Sequence, residues 1–137
     1  METQVPSFSK QSAARLATCH MSLQNLFKEV IRHWDCTVLE GHRSIEAQQE
    51  AFRRGTSKID GVNQLGKHNH TPSLAVDVAP YPVDWQDLER FRAFGGFVLG
   101  VASQLGIVVR WGGDWDTDRD FKDQRFVDLP HFELLSD

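Results

Sequence analysis

Cysteine is scarce in this 137-residue chain: Cys19 and Cys36 are the only two, and they form no metal-type pair. Two cysteines without a visible secretory leader give no disulfide framework, so both read as reduced, half-buried thiols. Residues 1–10 are polar and lack the apolar stretch of a signal peptide. No apolar run approaches the roughly 20 residues that cross a bilayer. Excess positive charge is also missing. A net charge of −4 argues against a polybasic nucleic-acid or anionic-membrane binder. The chain has no HExxH or CxxC signature, no internal repeat, no low-complexity segment and no linker. What remains is an ordinary globular composition, 40% hydrophobic and 25% charged, long enough for one domain around one core.

Hydrophobic spacing and turn residues divide the chain into short elements. Residues 1–8 read as a loose tail and 9–137 as the folded domain. Ser9 can cap a short helix over 10–17. Leu23, Leu26, Phe27, Val30 and Ile31 recur at helical spacing and predict a helix over 21–33, with His20 and His33 as solvated or capping residues near its ends. Residues 36–40 read as a strand that leaves in the turn Gly41-His42-Arg43-Ser44. Ser44 can cap a helix over 45–53, and Gly55 can end it. Arg43 therefore sits where a strand gives way to a helix. That place suits a ligand-facing side chain, but from position alone an ordinary solvated surface arginine is the favoured reading. Residues 55–66 form a polar loop of a length that is often functional. Asp84 or Asp87 can cap the longest helix, 87–105, whose apolar face runs from Leu88 through Phe94 and Val98 to Leu105. Gly95 and Gly96 inside it should cost about 1 kcal/mol each relative to Ala, which points to close packing on the sheet. Strands follow at 107–111 and 131–134. The order predicts an α+β domain, a small mixed or antiparallel sheet flanked by helices.

One stretch carries the chemistry. Lys67-His68-Asn69-His70-Thr71-Pro72-Ser73 is polar, and it runs into the apolar Leu74-Ala75-Val76-Asp77-Val78-Ala79, broken by a single carboxylate. A buried Asp must be paired, hydrogen-bonded or bound to a metal. A loop His and a strand Asp could point at one cation, and Asp128-Leu129-Pro130-His131 offers a third ligand. Three protein ligands plus a water make a catalytic zinc site. Asp128 could then accept the water's proton. The plainer reading is a satisfied core histidine and an Asp that caps a turn, and spacing alone leaves both open. A second acidic group, Asp116, Asp118 and Asp120, alternates like the start of a calcium loop. It lacks Gly at the sixth position and has Val127 at the twelfth, where Glu belongs. A solvated acidic loop is the favoured reading there, with Ca2+ as the alternative.

The stretch from His68 to Asp77, with Asp128-x-x-His131, resembles the zinc peptidases of the D-Ala-D-Ala carboxypeptidase and endolysin superfamily. Their motif reads Ser-x-His-x-x-Gly-x-Ala-x-Asp, followed far downstream by acid-x-x-His. Three further stretches are similar, in order, to the phage endolysin branch, the L-alanyl-D-glutamate peptidases. They are Gly41-x-Arg43-Ser44, Ala75-Val76-Asp77-Val78-Ala79-Pro80-Tyr81-Pro82 and Arg110-Trp111-Gly112-Gly113-Asp114-Trp115. The resemblance spans about 9–134; the first motif is fairly specific, and acid-x-x-His alone is not. Gly66 stands where Ser is usual, Ser73 where Gly is usual, and the His68-to-Asp77 spacing is two residues longer. His70 would satisfy the shorter spacing. Lys67-His68-Asn69 resembles the branch's Ser-Lys-His-Asn, which favours His68.

The resemblance implies that His68, Asp77 and His131 bind Zn2+ and that Asp128 is the general base. It implies that Arg43 steadies the substrate carbonyl or carboxylate. The implied activity is hydrolysis of the peptidoglycan peptide stem, with the L-Ala-D-Glu bond as the expected target, for host lysis. A monomer is expected, with no nucleic-acid or membrane partner and no room for a separate wall-binding module. By family analogy the enzyme waits in the host cytoplasm until a holin releases it to the wall. A D-Ala-D-Ala carboxypeptidase and a non-catalytic module that keeps zinc as a scaffold are the alternatives. The presence of both Asp128 and Arg43 argues against the second.

Overall fold

The computed structural model describes residues 5–55, 57, 59–61, 65–117 and 128–135. Its elements are α1 (Lys10–Leu16), α2 (Met21–Ile31), β1 (Cys36–Glu40), α3 (Ile45–Arg53), a 3-10 turn (Lys67–Asn69), β2 (Ala75–Pro80), α4 (Leu88–Leu105), β3 (Val109–Trp111) and β4 (His131–Leu134). The four strands pair antiparallel throughout, in the order β1-β2-β4-β3.

Side chains alternate across a strand, so each strand feeds two surfaces. Val38, Val76, Val78, Trp111, Phe132 and Leu134 enter the hydrophobic core. Asp77, His131 and Glu133 occupy the alternate positions and face the other way. The core is closed by α2 and α4, which pack on each other, while α4 also lies on β2 and β3 and α1 lies on β1. Leu23, Leu26, Phe27, Val30 and Ile31 are all buried, as their helical spacing predicts. Phe132 is the hub: its ring meets Phe27 at 5.4 Å, Phe94 at 6.4 Å and Trp111 at 6.5 Å between centroids.

Local signals set the element ends. Ser9 Oγ accepts from Ser12 N, Ser44 Oγ from Ala47 N, and Asp87 Oδ1 from Arg90 N, the three expected N-caps. His20 caps α2 through Nδ1, and His33 is exposed beside Glu29. Gly106 closes α4 with φ 71°, a backbone that glycine adopts without strain. The strand predicted over 107–111 begins only at Val109. Ile107 N is still held by Ala102 O, and Val108 is exposed. Helix α2 likewise stops at Ile31, short of the predicted 33. The cysteines are buried rather than half-buried and remain free. Burial pushes the Cys19 thiol up to about 11 and the Cys36 thiol up to about 12. Among the described residues no helix is long and apolar enough to cross a membrane.

The glycine pair in α4 divides in two. A Cβ on Gly95 would stand 2.2 Å from the ring of Trp111, so this glycine is the close contact between helix and sheet. A Cβ on Gly96 would meet nothing within 4 Å. Close packing therefore explains Gly95 and not Gly96. Gly96→Ala should stabilise the protein by about 0.5–1 kcal/mol through helix propensity. Gly95→Ala should destabilise it by roughly 1–3 kcal/mol, because overpacking against a buried indole outweighs the same gain. Denaturant melts of the two variants check this, and equal shifts would reject the assignment.

Candidate active site

The β2–β4 register sets Asp77 opposite His131. The 3-10 turn lays His68 over the same spot, since Leu74 N bonds Lys67 O and Arg43 N bonds His68 O. His131 Nδ1 lies 3.1 Å and His68 Nε2 3.3 Å from Asp77 Oδ1. The three donor atoms fall within 4.8 Å of one another, and among the described residues this group could hold a metal ion. His70 is exposed and lines the cleft without joining the group.

The outer nitrogens decide the tautomers. His68 Nδ1 lies 2.7 Å from Gly41 O, and a carbonyl only accepts, so that nitrogen carries the proton. His131 Nε2 lies 2.8 Å from Glu133 Oε1 and donates in the same way. The inner nitrogens, His68 Nε2 and His131 Nδ1, can then turn lone pairs toward a cation seated beside Asp77 Oδ1, and without one they donate to that carboxylate oxygen instead. Metal-binding histidines have this arrangement, with the second ring N–H tied to a carbonyl or carboxylate. The residues present therefore fit a cation. Glu133, which the sequence reading passed over, is in turn bound by Arg110 Nη2 at 2.8 Å. Its signal was its place two residues beyond His131, on the same face of one strand.

Arg43 leaves β1 beside a bulge. Val38 pairs Val78 regularly, but Glu40 rather than Leu39 stands opposite Asp77. Glu40 thus faces the site and accepts from Arg43 Nε, while Arg43 Nη1 reaches Gln48 Oε1 at 2.9 Å. Gln48 is buried and anchored in turn on Ser57 Oγ and Ile59 O. Asp128 is placed by backbone: its N–H bonds Gly112 O, and His131 N bonds its carbonyl. A Cβ on Gly112 would stand 2.0 Å from Asp128 O, so only glycine allows this approach. Arg43, Asp128, His68 and His131 share the wall of a cleft of about 330 Å³. Trp115 packs on His131, with ring centroids 5.4 Å apart. Of the acidic trio, Asp116 is exposed, and Asp118 and Asp120 lie outside the described residues.

Charge divides the carboxyls. Burial opposes ionisation of Asp77, yet hydrogen bonds from His131 and His68 hold it well below the usual carboxylate range. Burial, and then the charge of Asp77, raise the Asp128 carboxyl above its ordinary value. Burial would lower His131, but hydrogen bonds to Asp77 and Glu133 prevail and raise it to about 9.

Two imidazoles and a carboxylate around one point, beside a half-buried carboxyl and a braced arginine, form a group that could hold a metal ion. The chain belongs to the phage L-alanyl-D-glutamate peptidase family, which matches residues 5–135. It is 31% identical over 136 residues to the L-alanyl-D-glutamate peptidase of Escherichia phage T5, covering 93% of this chain and 97% of that one. Its fold is similar to the crystal structure of the Serratia marcescens L-Ala D-Glu endopeptidase ChiX. The TM-score is 0.70 at 28% identity, over 93% of this chain and 90% of that chain.

The His131 shift yields a pH test on protein kept metal-free with a chelator. A folded pKa raised from 6.5 to about 9 contributes stability that is full below pH 6.5 and is lost as pH rises through about 9. The melting temperature of chelated protein should fall across that window. The stabilisation that zinc adds should grow across it, since the ion replaces that proton. The chelated decline should vanish in His131→Gln, and a decline unchanged in that variant would reject the Asp77–His131 pair as its source.

Proposed function

We propose that this chain is a zinc endopeptidase of the bacterial wall that hydrolyses the L-alanyl-D-glutamate bond of the peptidoglycan stem. One observation carries the reading: His68 Nε2, Asp77 Oδ1 and His131 Nδ1 converge within 4.8 Å in a chain of this family. The names of the relatives supply the bond. Zinc bound by those atoms would supply a Lewis acid for the scissile carbonyl and lower the pKa of a bound water.

The remaining work falls to side chains of this protein. Asp128 takes the proton of the attacking water and delivers it to the leaving nitrogen of D-Glu. A carboxyl raised by burial and by Asp77 suits that exchange better than one held fully ionised. Arg43 offers its guanidinium to the oxygen on which negative charge grows, and the Glu40 and Gln48 contacts fix it before substrate arrives. Residues 9–137 form the catalytic unit in this reading and act as a monomer. The enzyme is held in the host cytoplasm and reaches its substrate at lysis. Calcium on Asp116, Asp118 and Asp120 stays the less favoured alternative to a solvated acidic loop, and unchanged melting in millimolar calcium would dispose of it.

Mass spectrometry of digested sacculi tests the bond. Cleavage leaves L-Ala on the glycan and exposes the amino group of D-Glu, whereas release of D-Ala alone would mean a carboxypeptidase. The purified protein should hold about one zinc per chain. His68→Ala, Asp77→Ala and His131→Ala should each lose it, and His70→Ala should keep it. Metal retained in His68→Ala and lost in His70→Ala would reverse the assignment.

Asp128→Asn separates base from ligand. It should fold, keep its zinc and bind sacculi, with turnover lowered by about 10²–10⁴-fold. Zinc lost along with activity would make Asp128 a ligand instead. Turnover near wild type with zinc intact would sink the mechanism.

A further inference from the structure

The wall formed by Arg43 and Asp128 has a second side. Behind it lies another cleft, of about 440 Å³, which Asp77 also reaches. The rest of its lining is apolar: Leu39, Trp85, Leu88, Phe91, Leu129 and Pro130. Trp85 is 56% exposed and Leu88 46%, although both line a cleft shared with Arg43, Asp77 and Asp128. The indole of Trp85 is stacked on Phe91, with centroids 5.2 Å apart and planes 19° apart, so one face is covered and the other is open. The turn that carries it is braced. Arg90 donates to Pro82 O at 2.7 Å and to Tyr81 O, and Asp84 Oδ1 accepts from Gln86 N at 3.0 Å. A large aromatic held rigid and open to solvent is arranged to receive something.

The substrate proposed above is itself uneven, and this inference rests on that reading. On the amino side of the scissile bond, L-Ala joins directly to the lactyl ether of N-acetylmuramic acid, an uncharged sugar. On the other side stand the α-carboxylate of D-Glu and the carboxylates of the residues beyond it. The two clefts differ in the same sense. The first presents Lys67 and Arg110 beside the shared Arg43, with Glu133 as the counterion of Arg110. The second has no charged lining beyond the Arg43, Asp77 and Asp128 that it shares with the reaction centre. We propose that the open face of Trp85, with Leu88 beside it, is the subsite for the N-acetylmuramyl group, and that the acidic stem lies in the Lys67–Arg110 cleft. The sugar ring would lie on the indole through its C–H face, its hydroxyls turned to water. Trp85 is thus a specificity residue that reads whether the L-Ala is still attached to glycan.

The test compares N-acetylmuramyl-tetrapeptide with the same tetrapeptide carrying a plain N-acetyl group. Trp85→Ala should lower kcat/KM on the muramyl substrate by about tenfold and leave the N-acetyl peptide within about twofold, the scale of losing one exposed anchor. Trp85→Phe should restore most of the loss. Equal losses on both substrates, or no loss on the muramyl one, would overturn the subsite. A binding titration of N-acetylmuramyl-L-alanine against N-acetyl-L-alanine needs no turnover, so it separates this proposal from the activity. If the wild type cuts neither substrate after L-Ala, the proposed bond is wrong. The subsite then stands if muramyl binding weakens about tenfold in Trp85→Ala, and falls if it does not.

Discussion

The antiparallel pairing of β2 with β4 is the constraint on which the rest of this structure depends. It sets Val76 against Phe132 and Asp77 against His131 in successive positions. Side chains on a strand alternate strictly, so one register serves both surfaces. Phe132 lies among Phe27, Phe94 and Trp111 because His131 points the other way. A slip of one residue would push His131 into that aromatic cluster and bring Phe132 to the cleft. Both errors are costly: one buries an imidazole without its partners, and the other exposes a ring that is fully buried. The core therefore enforces the geometry of the site.

The second half of the site is held by backbone rather than by packing. Arg43 N bonds His68 O, Asn69 Nδ2 bonds Arg43 O at 2.9 Å, and His68 Nδ1 reaches Gly41 O. Below them Ser73 N bonds Thr18 O and His20 N bonds Ser73 O, which tie the same segment to the end of α1 and the start of α2. His68 and Arg43 thus belong to one stapled unit. A change that moves the 41–44 turn moves a candidate ligand and the candidate charge stabiliser together. Activity loss there cannot be credited to the guanidinium alone unless metal content is measured in the same variant.

Much of this was legible in the sequence because it is local. Ser9, Ser44 and Asp87 announce three helix starts through side-chain oxygens that reach the next turn, and the α2 stripe needs only a period of 3.6. Asp77 was legible as an anomaly, a carboxylate inside an apolar strand. The choice between His68 and His70 was legible only through the resemblance that favours His68. Two residues apart in a polar loop, they differ only in which one the 3-10 turn aims inward, and that turn is set by hydrogen bonds to the 41–43 segment. Glu133 was missed because an acid in a four-residue terminal strand looks like a solvated edge until the strand is seen to lie between two others. A bulge sets Glu40 rather than Leu39 opposite Asp77, which no alternation of residue types betrays. Trp85 gave no signal, since its meaning comes from a cleft built by β1, α4 and the 128–130 turn.

Beside Glu40, which braces Arg43, three more carboxyls crowd one centre, and their surroundings shift them differently. Glu133 is committed on both sides, to His131 Nε2 and to Arg110 Nη2, and these contacts hold it below its ordinary value against the effect of burial. It stays ionised and fixes a ring. Asp77 receives both histidines on one oxygen and is held well below the usual carboxylate range. A group so reluctant to take a proton makes a poor base and a good ligand. Asp128 shares the burial but lies under the negative charge of Asp77, and its carboxyl is raised. The site histidines and Arg43 oppose that rise without cancelling it. Environments that push neighbouring carboxyls apart in this way are how one site separates a charge that must stay from a proton that must move. The proposed roles, Asp77 as ligand and Asp128 as base, agree with these surroundings.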